Sequence, residues 1–225
     1  MDLQAQADAF RAQACGDDVD PAWDLLKGMT LPKSFKTPYA HPQAPVFTHM
    51  LDNRFPVLYQ VPDFAVYLNS GLPYLDAYPG NEGRAAMSFV HLLVVPRERI
   101  YNVKTLRKTD EGLLRDMYHT TLDLFTRPQF IDTLELALLK QNLLDVSGDV
   151  LTYENREAFV RSMHLLKKVD PEAELSMWFH EHPNHSVGHL HMHVLLDTAL
   201  TDAFKIHEKK NIPYDDVMNR LKSMP

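Results

Sequence analysis

Hydrophobic and polar positions along the chain fall into two kinds of pattern, period two and period three-to-four. Val57-Leu58-Tyr59-Gln60-Val61 and Phe64-Ala65-Val66-Tyr67-Leu68 are short apolar runs split by Pro62-Asp63, which predicts two strands joined by a hairpin-like break. Phe89 to Val95 is apolar on both faces and stops at Pro96, as a central strand does. From Thr109 to Phe125 the apolar residues recur every three or four positions, the helical period, with Thr109 and Asp110 as N-cap candidates. Helices are likewise predicted over Ile131 to Leu144 and Asn155 to Lys168, and strands over Leu175 to Phe179 and His189 to Leu196. Pro213 at a first helical turn predicts a closing helix from Tyr214 to Leu221. Strands, then helices, then strands argue an α+β fold with an antiparallel sheet of about five strands and flanking helices.

The first 50 residues pattern differently. Gln4 to Ala14 predicts a short helix, Asp17 to Asp20 is acidic, and Pro32, Pro38, Pro42 and Pro45 punctuate the rest. We read 1–50 as an extension that wraps the domain or stays mobile, and 51–225 as one domain, within reach of a single core.

The strongest signal is the run His189-Leu190-His191-Met192-His193-Val194-Leu195. On a strand, His189, His191 and His193 share one face and Leu190, Met192 and Val194 the other, with the imidazoles about 6–7 Å apart at Cα. Three imidazoles so placed can hold a proton, a metal or a phosphate. His180, His182 and His185 lie just upstream as further candidate ligands. A His-rich solvated strand face is the bland alternative, and it is the preferred reading for His41, His49, His119, His164 and His207 taken singly.

Composition narrows the classes. The formal charge of −7 makes the chain a poor candidate for broad electrostatic binding to nucleic acid, but a small anion can bind through local donors. A single cysteine, Cys15, excludes an internal disulfide and a cysteine zinc cluster and fits a reducing compartment. No run approaches the roughly 20 apolar residues of a membrane span, and the N-terminus has no secretory pattern. A cytoplasmic protein, the nucleus included, without membrane contact is expected.

The triad run resembles the signature of the histidine-triad (HIT) family, in which histidines alternate with apolar residues. Phe179-His180, Pro183 and Ser186-Val187-Gly188 ahead of the triad are similar to the histidine-triad nucleotide-binding protein 3 subgroup. So are His91 to Ile100, Asn102 to Lys108 and, more weakly, Lys210 to Val217. The resemblance implies hydrolysis of a nucleotide conjugate (a nucleoside phosphoramidate or an aminoacyl-adenylate) through a covalent nucleotidyl-histidine. His191 would be the nucleophile, oriented by a backbone carbonyl near His189. His193 and Ser186 would donate to phosphoryl oxygens, and His189 and His91 would orient the others. Ser186 also reads as a turn-forming serine. Tyr67 and Asn69 match the positions that contact base and ribose, with His180 beside them, although Tyr67 reads equally as a core aromatic. No cofactor and no metal are implied, and a homodimer is.

Two departures bear on the substrate. Arg99 stands where the family often has histidine, and the Ser70–Ser88 loop is long, so that Arg84 is available to meet a larger or more anionic leaving group. His193 in place of glutamine disfavours the dinucleotide phosphorylase branch, and Leu190 in place of proline the nucleotidyltransferase branch. Scavenger decapping and DNA-adenylate hydrolysis stay open as alternatives within the superfamily. A non-catalytic nucleotide- or metal-binding protein stays open outside it.

Overall fold

The computed structural model describes residues 3–12, 57–144, 152–181 and 188–225. The Pro-rich part of the extension, together with His182, His185 and Ser186, lies outside them.

Six strands form one antiparallel sheet: β1 (Tyr59–Gln60), β2 (Phe64–Leu68), β3 (His91–Pro96), β4 (Leu175–His180), β5 (Met192–Leu196) and β6 (Asn211–Pro213), in the order β1-β2-β3-β5-β4-β6. All pairings are antiparallel. The expected break between the first two runs is a tight turn, with Val61 N–H on the Phe64 carbonyl at 3.0 Å. β3 is buried at all six positions and lies between β2 and β5, the central place its two-faced apolar pattern predicted. The expected five strands become six because Asn211–Pro213 is too short to read as a strand. It pairs with the free side of β4 and ends at a proline, whose missing N–H an edge strand tolerates.

The helices are α1 (Leu3–Ala12), α2 (Glu111–Phe125), α3 (Pro128–Leu139), α4 (Tyr153–Leu166), α5 (Pro171–Glu174), α6 (Asp202–His207) and α7 (Tyr214–Ser223). Leu114, Met117, Thr121, Leu124 and Phe125 bury one stripe of α2. Asp110 precedes that helix but does not cap it. Its carboxylate accepts from Arg107 N–H at 2.7 Å and takes a two-pronged ion pair from Arg11 of α1 at 2.9 and 3.0 Å. A carboxylate this buried needs those donors more than the helix needs a cap. α3 starts three residues before the expected point, because a proline fits the first helical turn. A π turn over Lys140–Leu144 continues it.

The main core lies on one face of the sheet, where Phe64, Val66, Leu92, Val94, Met177, Phe179, Leu190, Met192 and Val194 meet the helices. The alternation of the triad run thus holds, but its strand is shorter than expected. β5 begins at Met192, because Leu190 N–H turns away to the Ile100 carbonyl at 2.7 Å. His189 and His191 therefore sit on the approach to the ladder, and only His193 sits on it.

Candidate active site

The second face of the sheet carries polar rings. In the ladder, Asn69 follows β2 opposite His91, Leu93 faces both Tyr67 and His193, Trp178 faces His193, and Asn211 faces His180. His91, His180, His189, His191, His193 and His207 are all at most 9% exposed. Buried imidazoles must find partners or stay neutral, and here the partners determine which nitrogen carries the proton.

His91 Nδ1 receives two donors, Asn69 Nδ2 at 2.7 Å and the Met87 backbone N–H at 3.3 Å. A backbone N–H cannot reverse, so Nδ1 is the acceptor and the proton lies on Nε2. His91 Nε2–H then donates to His193 Nδ1 at 2.9 Å. His193 therefore carries its own proton on Nε2, a buried atom with no hydrogen-bond partner among the described residues. His191 is set the opposite way. Its Nδ1–H donates to the His189 carbonyl at 2.8 Å, which leaves the lone pair on Nε2. His189 in turn donates Nε2–H to the Pro96 carbonyl at 2.8 Å. The His191 and His193 rings stand 4.7 Å apart at 67°. A nucleophilic nitrogen and an N–H donor thus lie side by side.

All six rings are held neutral at pH 7. Burial is the largest cause in each case, and it pushes His91 down to about 3 and His189, His191 and His207 to about 4. His180 and His193 are pushed well below the usual range, by burial first and then by the charge of neighbouring rings, His191 and His207 acting on His180 and His180 and His191 on His193. A neutral His191 keeps its lone pair, and a neutral His193 donates without a net charge.

The other expected residues fall as follows. His180 lies on β4 with its ring 4.2 Å from His193, and its Nε2–H donates to Asn211 Oδ1 at 2.9 Å. Asn69 spends its amide on His91 and on Gly71 N–H, so in this structure it orients an imidazole. Tyr67 packs with Ala65, Leu93 and Val95 on the histidine face, one ladder step from His193 through Leu93. Arg99 is buried near His189, and its charge lowers that ring's pKa further. Arg84 stands over the Tyr78 ring at 5.3 Å.

No protein-family model and no curated protein matches the sequence. Among solved structures, the chain is similar to Hnt3 in complex with DNA and guanosine, at 13% identity over 80% of this chain and 76% of that one, with a TM-score of 0.39. It is also similar to the aprataxin orthologue Hnt3 from Schizosaccharomyces pombe, at 14% identity over 79% and 72%, with a TM-score of 0.37.

Sequence reasoning missed His207, Asn211 and Met87. His207 closes the cluster from α6, its ring stacked on His180 at 5.6 Å and 17°. Nothing near it in sequence marks it, since it meets the triad only through tertiary packing. Met87 acts through its backbone N–H, which no side-chain pattern reveals. Among the described residues no helix is long and apolar enough to cross a membrane.

Proposed function

We propose that the chain is a nucleotide-conjugate hydrolase of the histidine-triad type. One observation carries the reading: the opposed tautomers of His191 and His193, each fixed by a hydrogen bond to a group that cannot reverse or is itself fixed. That arrangement suits attack at phosphorus. The His191 Nε2 lone pair forms an N–P bond to the α-phosphorus while the bond to the leaving group breaks. The leaving group's electron pair takes a proton from a bound water, which becomes hydroxide. That hydroxide then attacks the nucleotidyl-histidine, the N–P bond breaks, and His191 recovers its lone pair as the nucleotide leaves. His193 Nε2–H stabilises the charge growing on phosphoryl oxygen, among buried groups where such a bond is strong. Ser186 is assigned a second phosphoryl contact, Tyr67 the base, and His91 and Asn69 the orientation of His193. The substrate class we favour is a nucleoside 5′-phosphoramidate or an aminoacyl-adenylate. The test is AMP or GMP release by wild type and His191→Ala from adenosine phosphoramidates, mixed adenylates, cap analogues and adenylated DNA ends. Turnover by wild type that His191→Ala matches would refute the nucleophile assignment.

A second reading rests on the proximity of His180, His191 and His193, each offering a nitrogen within 4.8 Å of the others. Metal ligation requires a lone pair from every ring. His193 has none to give, because Nδ1 accepts from His91 and Nε2 bears the proton. Ligation there would reverse the His91 bond against the Met87 N–H. Stoichiometric zinc in the purified protein together with no turnover would favour this reading over hydrolysis.

A further inference from the structure

The segment that joins β3 to α2 reaches the site through hydrogen bonds to its backbone. The Pro96 carbonyl accepts from His189 Nε2–H at 2.8 Å, and the Ile100 carbonyl accepts from Leu190 N–H at 2.7 Å. Farther along, Asn102 donates Nδ2–H to the His180 carbonyl at 3.2 Å. The first two bonds set where the chain lies at His189 and Leu190. The His189 carbonyl is in turn the group that keeps the proton on His191 Nδ1. The tautomer of the nucleophile thus depends on a segment that contributes no ring to the triad.

That segment is held from α1, 99 residues away in the chain. Arg11 Nη1 and Nη2 donate to the two Asp110 oxygens at 3.0 and 2.9 Å, and Nη1 also lies 3.1 Å from the Glu98 carboxylate. Glu98 is the middle residue of the Pro96–Ile100 turn, and Asp110 closes the segment where α2 begins. One guanidinium therefore bridges both ends of 96–110. Asp8, one turn earlier on α1, pairs with Arg107 at 2.8 Å. That pair is exposed and worth little. Arg11 and Asp110 are largely buried, and a buried ion pair adds little stability over an apolar pair of the same size. What it adds is a fixed, two-pronged geometry.

We propose that Arg11 is a positioning residue for the reaction. By tying Glu98 to Asp110 it holds the 96–110 segment where Pro96 and Ile100 keep the His189 carbonyl on His191 Nδ1–H. Without that tie the carbonyl moves off Nδ1, and the His191 proton is shared between the two ring nitrogens. A ring protonated on Nε2 has no lone pair there to attack phosphorus. The effect on rate rests on the hydrolase reading, whereas the effect on the tautomer does not.

The test compares full-length wild type with Arg11→Met, Arg11→Lys and the double variant Arg11→Met with Asp110→Asn, which leaves no unpaired carboxylate behind. Asp8→Asn, which breaks only the exposed pair, is the control. Each is read by nitrogen-15 NMR of histidine-labelled protein at pH 7, assigned with His191→Ala, and by kcat and KM on an adenosine 5′-phosphoramidate. Circular dichroism sets a temperature at which every variant compared is folded. In Arg11→Met and the double variant the two His191 nitrogen shifts should move toward one another. Their kcat should fall about two- to thirtyfold, the range for coupling carried through an intervening segment, with KM little changed. Arg11→Lys keeps the charge but not the two-pronged contact, so it should recover part of both effects, and Asp8→Asn should match wild type. If Arg11→Met does not fold, the double variant and Arg11→Lys decide. Wild-type shifts and kcat in a folded double variant would mean that Arg11 only docks α1. A fall in kcat with wild-type shifts, or a rise in KM alone, would place its effect elsewhere than on the His191 proton. Either result overturns the proposal. If wild type hydrolyses no conjugate, the hydrolase reading fails, and the proposal stands or falls on the His191 shifts.

Discussion

The two faces of the same sheet are built to different rules. One face buries Leu92, Val94, Met192 and Val194 against the helices, and any side chain of the right size and apolarity would serve there. The other buries His91, His191 and His193, where size is secondary and the direction of each N–H decides everything. The apolar face supplies stability through area removed from water. The polar face holds six neutral imidazoles that gain little by being buried, and their value lies in the lone pair and the donor they present. Because β3 and β5 alternate between faces, His91 and His193 are flanked by core residues that fix their positions.

Four substitutions or conditions separate the faces, in order of expected effect. His191→Ala should lower turnover of a nucleotide conjugate by about 10⁴-fold or more, as removal of a nucleophile does, while the thermal midpoint stays near that of wild type; a scan and a rate assay on one preparation check both. Leu92→Ala, on the apolar face of β3, should do the reverse. It should cost about 2–5 kcal/mol in urea unfolding and leave the activity of the folded fraction within about twofold.

Acid should act through the polar face. The unfolded chain takes up protons near pH 6.5, whereas His189, His191 and His207 do so only near 4 and His91 near 3. Between those limits the unfolded state binds more protons, so stability falls as pH falls from about 6.5 toward 4 and is insensitive to these groups above about 7.5. Denaturation midpoints measured from pH 8 to 4.5 should trace that decline, and a flat profile would show that the rings are not buried neutral. Asn69→Ala should have the smallest effect, a loss of about 10- to 100-fold in kcat with KM little changed, because it removes one of two donors that orient His91 and only indirectly His193.

The comparison also explains what could be read from the sequence. The apolar face follows a local rule, so the central β3, the hairpin of β1 and β2 and the buried stripe of α2 all carry their period in the residues themselves. The triad is equally local, and Leu190, Met192 and Val194 point inward as their alternation requires. What escaped was non-local or in the backbone. β5 is shorter than the alternation suggests because Leu190 N–H is drawn to Ile100, a contact between segments about 90 residues apart. Asp110 has the sequence of a cap and serves Arg11 instead. Asn211 reaches the site only once β6 has paired with β4, and His207, an isolated histidine at the end of a six-residue helix, reaches it only through tertiary packing that its sequence does not hint at.

The central claim is that His191 and His193 hold opposite tautomers. Nitrogen-15 NMR of histidine-labelled protein at pH 7 reads this directly, with His191→Ala and His193→Ala spectra for assignment. The account predicts a protonated Nδ1 and an unprotonated Nε2 for His191, and the converse for His193. A His193 ring protonated on Nδ1, or an imidazolium at either position, would contradict it.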